Sequence, residues 1–167
     1  MEVSSNWMAD LVTPDRVIPA LYAANKRQVI EKISCIATRR SGVDFELVRH
    51  LILERQDLTT FGIGGGIALP HATVPGLSEP IGVLAQLKQP VDFGAADGRP
   101  ADLVLLLLAP EEDLGILLRA LSCVGRRLRN PDVVKLLRAE NSSEATHVIL
   151  TAASWRGEAT AHPALSE

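Results

Sequence analysis

Residues 101–110 read ADLVLLLLAP. Positions 103–109 carry no polar side chain, and Pro110 stops the run. The stretch is far shorter than the ~20 apolar residues a membrane span requires. Turn text, DGRP at 97–100, precedes it. Length and flanks together predict a buried β-strand that is apolar on both faces. Such a strand needs a packing layer on each side, and the surrounding text supplies helices for both.

Upstream, PIGVLAQLKQPVDF predicts a strand over 81–87, ended by Pro90. Before it, ANKRQVIEKISCIATRRSG places Val29, Ile30, Ile33, Ile36 and Ala37 at helical spacing, with Gly42 as a stop. Asp44 is a candidate N-cap for a second helix, whose stripe is Phe45, Val48, Leu51 and Ile52. In TPDRV, Thr13 caps and Pro14 opens a short helical turn, which Pro19 interrupts. Downstream, EEDLGILLRALSCVGRRLRN reads as an amphipathic helix with acid at its start and Arg126, Arg127 and Arg129 at its end, an order that suits the helix dipole. Pro131 opens another short helix, and Ser142 or Ser143 caps a last one. Alternating helices and apolar strands make one α/β domain. The expected division is a flexible start over 1–9, the domain over 10–153 and a disordered tail over 154–167.

The chain has 167 residues, 47% of them hydrophobic, enough for one core. Its net charge of -3 sets up no basic field, so nucleic acid is not an expected partner. The cluster Arg126, Arg127, Arg129 lacks interleaved aromatics and reads as a solvated helix end, able to meet an acidic partner. Cys35 and Cys123 lie in helical apolar text and read as buried thiols. The start MEVSSNWMADL has neither the basic segment nor the apolar run of a signal peptide, so a cytoplasmic chain with no membrane insertion is expected. Trp7 and Trp155 are expected to pack the two ends onto the domain or to bury a small interface.

The chemistry concentrates at residues 62–74, GIGGGIALPHATV. Gly62, Gly64, Gly65 and Gly66 free the backbone to expose successive N–H groups, which can form an anion-binding concavity or simply a tight turn. No Walker lysine follows, and Ile67 stands where a dinucleotide fingerprint needs its third glycine. Pro70 pushes Leu69 toward an extended conformation and presents His71 at a fixed place. His71 is a candidate general base, metal ligand or phosphoryl-accepting nucleophile. His50, His147 and His162 are dispersed, so no metal site and no cofactor is expected. A nucleophile best accounts for neighbouring anion donors, and Arg55 is the nearest preceding cation able to balance phosphoryl charge. Asp92 and Asp97 read as turn residues or as carboxylates behind the imidazole.

At RQDLTTFGIGGGIALPHATVPG the chain resembles the nitrogen-type, PtsN-like enzyme IIA proteins of the bacterial phosphotransferase system, akin to mannitol/fructose-type IIA domains. Arg55, Leu58, Gly62, Ile63, Gly64, Gly66, Ile67, Ala68, Pro70 and His71 fall on the family pattern, while Gln56 replaces a glutamate and Phe61 a threonine. The resemblance extends from about residue 10 to 153. It implies a central mixed β-sheet flanked by helices. It implies that His71 accepts a phosphoryl group, on Nε2, from a phosphocarrier of the HPr/NPr type, with Arg55 and the loop glycines stabilising charge. It also implies that phosphorylation state regulates partners such as a potassium transporter or a sensor kinase. A second active-site histidine usual in the family falls on Leu117, which neither donates a hydrogen bond nor carries charge. That loss motivates an alternative, a regulatory binding module with weak or no phosphotransfer.

Overall fold

The computed structural model describes residues 7–152. The expected central strand is β6, Ala101–Pro110, and it organises a six-stranded mixed sheet. The other strands are β1 (Val17–Leu21), β2 (Gly62–Gly64), β3 (Ile67–Ala68), β4 (His71–Val74) and β5 (Ile81–Val91). The order is β1-β5-β6-β3-β2, with β4 also paired to β6. β5 runs antiparallel to β6, while β3 and β4 run parallel to its other edge. Leu105, for example, lies opposite Leu84, and Leu107 lies beside His71.

Because side chains alternate along a strand, the apolar run divides between two cores. Val104, Leu106 and Leu108 face the layer of α2 (Lys26–Thr38) and α3 (Phe45–Leu58). Leu103, Leu105, Leu107 and Ala109 face the other layer. That layer holds α1 (Trp7–Leu11), α4 (Leu114–Leu128), α5 (Pro131–Ala139) and α6 (Ser143–Thr151). Helix starts follow their caps: the side chains of Asn25, Asp44, Asn130 and Ser142 each accept a backbone N–H in the first turn. Thr13 precedes a 3-10 turn over Pro14–Arg16 without such a bond; its hydroxyl donates to Asp15 instead.

Several sequence expectations are corrected. Pro19 lies inside β1 and Pro90 inside β5, although both were read as breaks. Each falls where pairing is already irregular: the β1–β5 register shifts between Ile18 and Leu21, and the β5–β6 register shifts between Gln86 and Val91. A missing N–H therefore costs no regular ladder bond. Cys35 and Cys123 are exposed rather than buried, because α2 and α4 turn other stripes inward. Arg127 is not solvated; its guanidinium donates to the carbonyls of Leu150 and Ala152 and holds the end of α6. Trp7, in the stretch expected to be flexible, opens α1 and packs on the helix-rich core. Trp155, His162 and the tail lie outside the described residues. Among the described residues, no helix is long and apolar enough to cross a membrane.

The two-faced burial of β6 predicts a large cost for truncation at its centre. Leu105→Ala, at a fully buried position, is expected to lower unfolding free energy by about 2–5 kcal/mol in chemical denaturation. A loss below 1 kcal/mol (roughly that of an exposed site) would contradict the central placement of this strand.

Candidate functional site

His71 is the first residue of β4, which among the described residues pairs only with β6, so its other edge carries no strand there. Ala72 and Val74 point into the α2–α3 core. Alternation turns His71 toward the face of β6 that α4 covers. The ring is half-buried. Its Nδ1 lies 2.8 Å from the carbonyl oxygen of Leu69. A carbonyl can only accept, so Nδ1 carries the proton and donates it there. In the neutral ring the lone pair is therefore on Nε2. Among the described residues that nitrogen has no hydrogen-bond partner, and it is not sealed from solvent.

The orienting group, Leu69, is fixed by local chemistry. Pro70 restricts Leu69, and the Leu69 N–H donates to the carbonyl of Phe61 at 2.9 Å. Phe61 is 1% exposed, and its ring meets the imidazole edge-on with centroids 5.5 Å apart. A hydroxyl is thus absent there, but an apolar wall stands in its place. Neighbouring Thr60 does keep a hydroxyl, which donates to the carbonyls of Phe93 and Gly94 and ties the entry of β2 to the end of β5. Neither Leu69 nor Phe61 was identified from sequence as a partner of His71; the LPH order, with a restrained carbonyl two residues before the imidazole, was the available signal.

Burial is the main influence on the His71 ionisation, and it pushes the pKa below the usual 6.5. The hydrogen bond to Leu69 opposes that shift, and the positive charge of Arg55 adds to it. Arg55 sits exposed in the last turn of α3, so its field acts mostly through solvent. The site accordingly presents a neutral imidazole with one fixed tautomer in the field of Arg55, which makes no ion pair among the described residues.

The four glycines do not gather around this ring. Gly62 pairs with Ala68 and packs so closely on Ala95 that a Cβ would come within 2.8 Å of its backbone nitrogen. Gly64, Gly65 and Gly66 form the tip of the β2–β3 hairpin with positive φ values of 91°, 67° and 79°. Three successive residues in the left-handed region account for the glycine run. The tip is tied down: the Gly65 N–H donates to Asp97 at 2.9 Å, and the Gly65 carbonyl accepts from Arg138 at 2.7 Å. Asp97 also accepts from the Arg99 N–H, and these backbone donors hold its carboxyl below the usual range. Asp92 accepts from the Gly94 N–H. Both aspartates are therefore turn residues with no contact to the imidazole.

Leu117 is 2% exposed and belongs to the same apolar layer as Leu107, the strand neighbour of His71. Gln56 is half-buried in α3, and its Oε1 is buried without a partner. His50 is exposed and lies 3.5 Å from Glu54, while His147 stands on α6 with Nε2 buried and unpartnered. Among the described residues, no three His, Cys, Asp or Glu side chains cluster as a metal site.

The lowered pKa fixes a sign. Stability from the neutral His71 ring is complete above the unfolded value and is lost as the pH falls through the lower folded value. An NMR titration is expected to place the His71 midpoint below 6.5. Arg55→Gln is expected to raise that midpoint, and a fall would contradict the assigned field.

A family model described as "Phosphoenolpyruvate-dependent sugar phosphotransferase system, EIIA 2" matches residues 10–152. The chain is 38% identical over 143 residues to a nitrogen regulatory protein of Bradyrhizobium diazoefficiens, covering 86% of this chain and 94% of that one. It is 34% identical over 140 residues to a nitrogen regulatory protein of Klebsiella oxytoca, covering 83% and 86%. The crystal structure of nitrogen regulatory protein IIA-Ntr from Neisseria meningitidis superposes with a TM-score of 0.81 at 25% identity, covering 86% of this chain and 98% of that one. Helices on both faces of a mixed sheet, a chain-long sequence match and a shared backbone agree: the chain belongs to the EIIA 2 family of the phosphotransferase system, with nitrogen regulatory proteins among its relatives and the general phosphorelay and regulatory role of a IIA component.

Proposed function

We propose that His71 is the phosphoryl acceptor of this IIA protein and that a phosphocarrier of the HPr/NPr type is the donor. The observation that carries this reading is the free Nε2 opposite an Nδ1–H held by Leu69. The Nε2 lone pair attacks phosphorus as the nitrogen–phosphorus bond on the donor imidazole breaks. Charge on the transferring oxygens is met by Arg55, and the depressed pKa keeps the nucleophile unprotonated at neutral pH. The open edge of β4 leaves room for a partner to approach the ring. Phosphorylation replaces a neutral ring by a dianionic group, a change large enough to alter which partner binds this face. A potassium transporter or a sensor kinase is the class of target in keeping with the nitrogen-regulatory relatives.

His71→Ala is expected to abolish the mass gain of one acid-labile phosphoryl group after incubation with phosphorylated carrier, with the thermal transition retained. Equal labelling of the alanine variant would refute the acceptor assignment.

One observation favours a second reading, a regulatory binding module with little phosphotransfer. Among the described residues the ring contacts of His71 are Leu69 and Phe61, no second imidazole meets it, and Leu117 fills that core position with hydrocarbon. On the phosphorelay reading, Leu117→His is expected to lengthen phosphohistidine lifetime while lowering stability by about 2 kcal/mol through the buried polar ring. An unchanged lifetime would remove the argument from the lost donor. No phosphoryl gain by the unaltered chain at any carrier concentration would establish the binding module instead.

A further inference from the structure

The glycine hairpin tip faces a cleft of about 840 Å³ that does not include His71. Gly66 pairs through its carbonyl with the N–H groups of Asp102 and Leu103, whereas His71 lies beside Leu107. The two places are therefore separated by about 15 Å along β6. Among the described residues four cations line the cleft, Arg99, Arg129, Lys135 and Arg138, against one lining carboxylate, Asp97. This concentration stands out on a chain of net charge -3.

The four cations are not equivalent. Arg138 is a fixed wall: Nε and Nη2 hold the Asp102 carboxylate at 2.8–3.1 Å, and Nη2 also donates to the Gly65 carbonyl. Arg99, Arg129 and Lys135 are exposed, and among the described residues none of them makes an ion pair. They arrive from three elements, the β5–β6 turn, the end of α4 and the outer face of α5. Asp97 cannot neutralise them fully, because its carboxylate brings one negative charge against three cations. Gly66 makes the convergence possible: a Cβ there would come within 2.6 Å of Arg138 Nη2 and 3.2 Å of Arg99 Nε. The floor is apolar, from Ile63, Ile67, Leu128 and Val134.

We infer that this cleft binds a phosphorylated organic metabolite of nucleotide size, independently of phosphoryl transfer at His71. Guanidinium forks and an ammonium converge as phosphate recognition requires. The volume lies within the range of small-molecule sites, and the apolar floor is suited to a base or similar body. Inorganic phosphate alone would leave that floor uncovered.

The test uses the isotopically labelled full chain with ADP and pyrophosphate as probes. ADP is expected to shift the amides of Gly64, Gly65, Arg99 and Lys135 saturably while leaving His71 unmoved. It is expected to bind about tenfold more tightly than pyrophosphate. Arg129→Gln with Lys135→Gln, at exposed positions, is expected to weaken ADP by about tenfold or more, with the rest of the spectrum preserved. The inference is overturned if millimolar ADP shifts none of these amides, if the double variant binds equally well, or if pyrophosphate matches ADP. Labelling of His71 by the carrier is measured separately, so failure of either site leaves the other standing.

Discussion

The structure depends on one strand that has no exposed face and no free edge along most of its length. β6 is bonded to β5 on one side and to β3 and β4 on the other, and its side chains feed two separate cores. Burial of apolar surface on this scale drives folding, and a strand apolar on both faces is stable only between two covering layers. The α2–α3 pair and the α1–α4–α5–α6 group are those layers. Every site described above is positioned by its register against β6: His71 beside Leu107, the hairpin tip beside Asp102 and Leu103.

The imidazole draws its properties from three neighbours that act in different ways. Leu69 fixes the tautomer through a hydrogen bond, Phe61 removes water from one side of the ring, and Arg55 adds a positive field. Desolvation outweighs the hydrogen bond, so the ring stays neutral and Nε2 keeps its lone pair. A half-buried ring at a sheet edge reconciles two needs. It is held in one orientation, and its Nε2 stays open to solvent.

The glycine-rich segment serves two ends of the sheet. Gly62 lets the chain pass against Ala95 next to Phe61, whose ring meets His71, whereas Gly64, Gly65 and Gly66 shape a tip near Arg138 and Asp102. A phosphate cradle formed by all four glycines at the histidine does not match this arrangement, because the tip N–H of Gly65 is already bound to Asp97. On the proposed function, charge on a phosphoryl group at His71 is met by Arg55, while the hairpin tip lines a separate, cationic cleft.

Local rules carried much of the fold. The run over residues 101–110, the caps at Asp44 and Ser142, and the helical stripes are all written within a few residues of themselves, so β6 and the long helices were legible in sequence. Pro70 before His71 likewise marked the ring proposed above as the phosphoryl acceptor. The sequence by itself thus determined β6, the start of β5 and the helices from α2 to α6, and it singled out His71 as a candidate site residue. Tertiary structure alone decided that Pro19 and Pro90 could sit in strands, that Arg127 would close α6, and that the glycine motif would be divided between two surfaces. Those outcomes depend on partners dozens of residues away: Leu150 for Arg127, Asp97 and Arg138 for Gly65, and a broken register for each proline. Local propensity sees only near neighbours, whereas a hydrogen bond or an ion pair is settled by where the folded sheet brings its two ends.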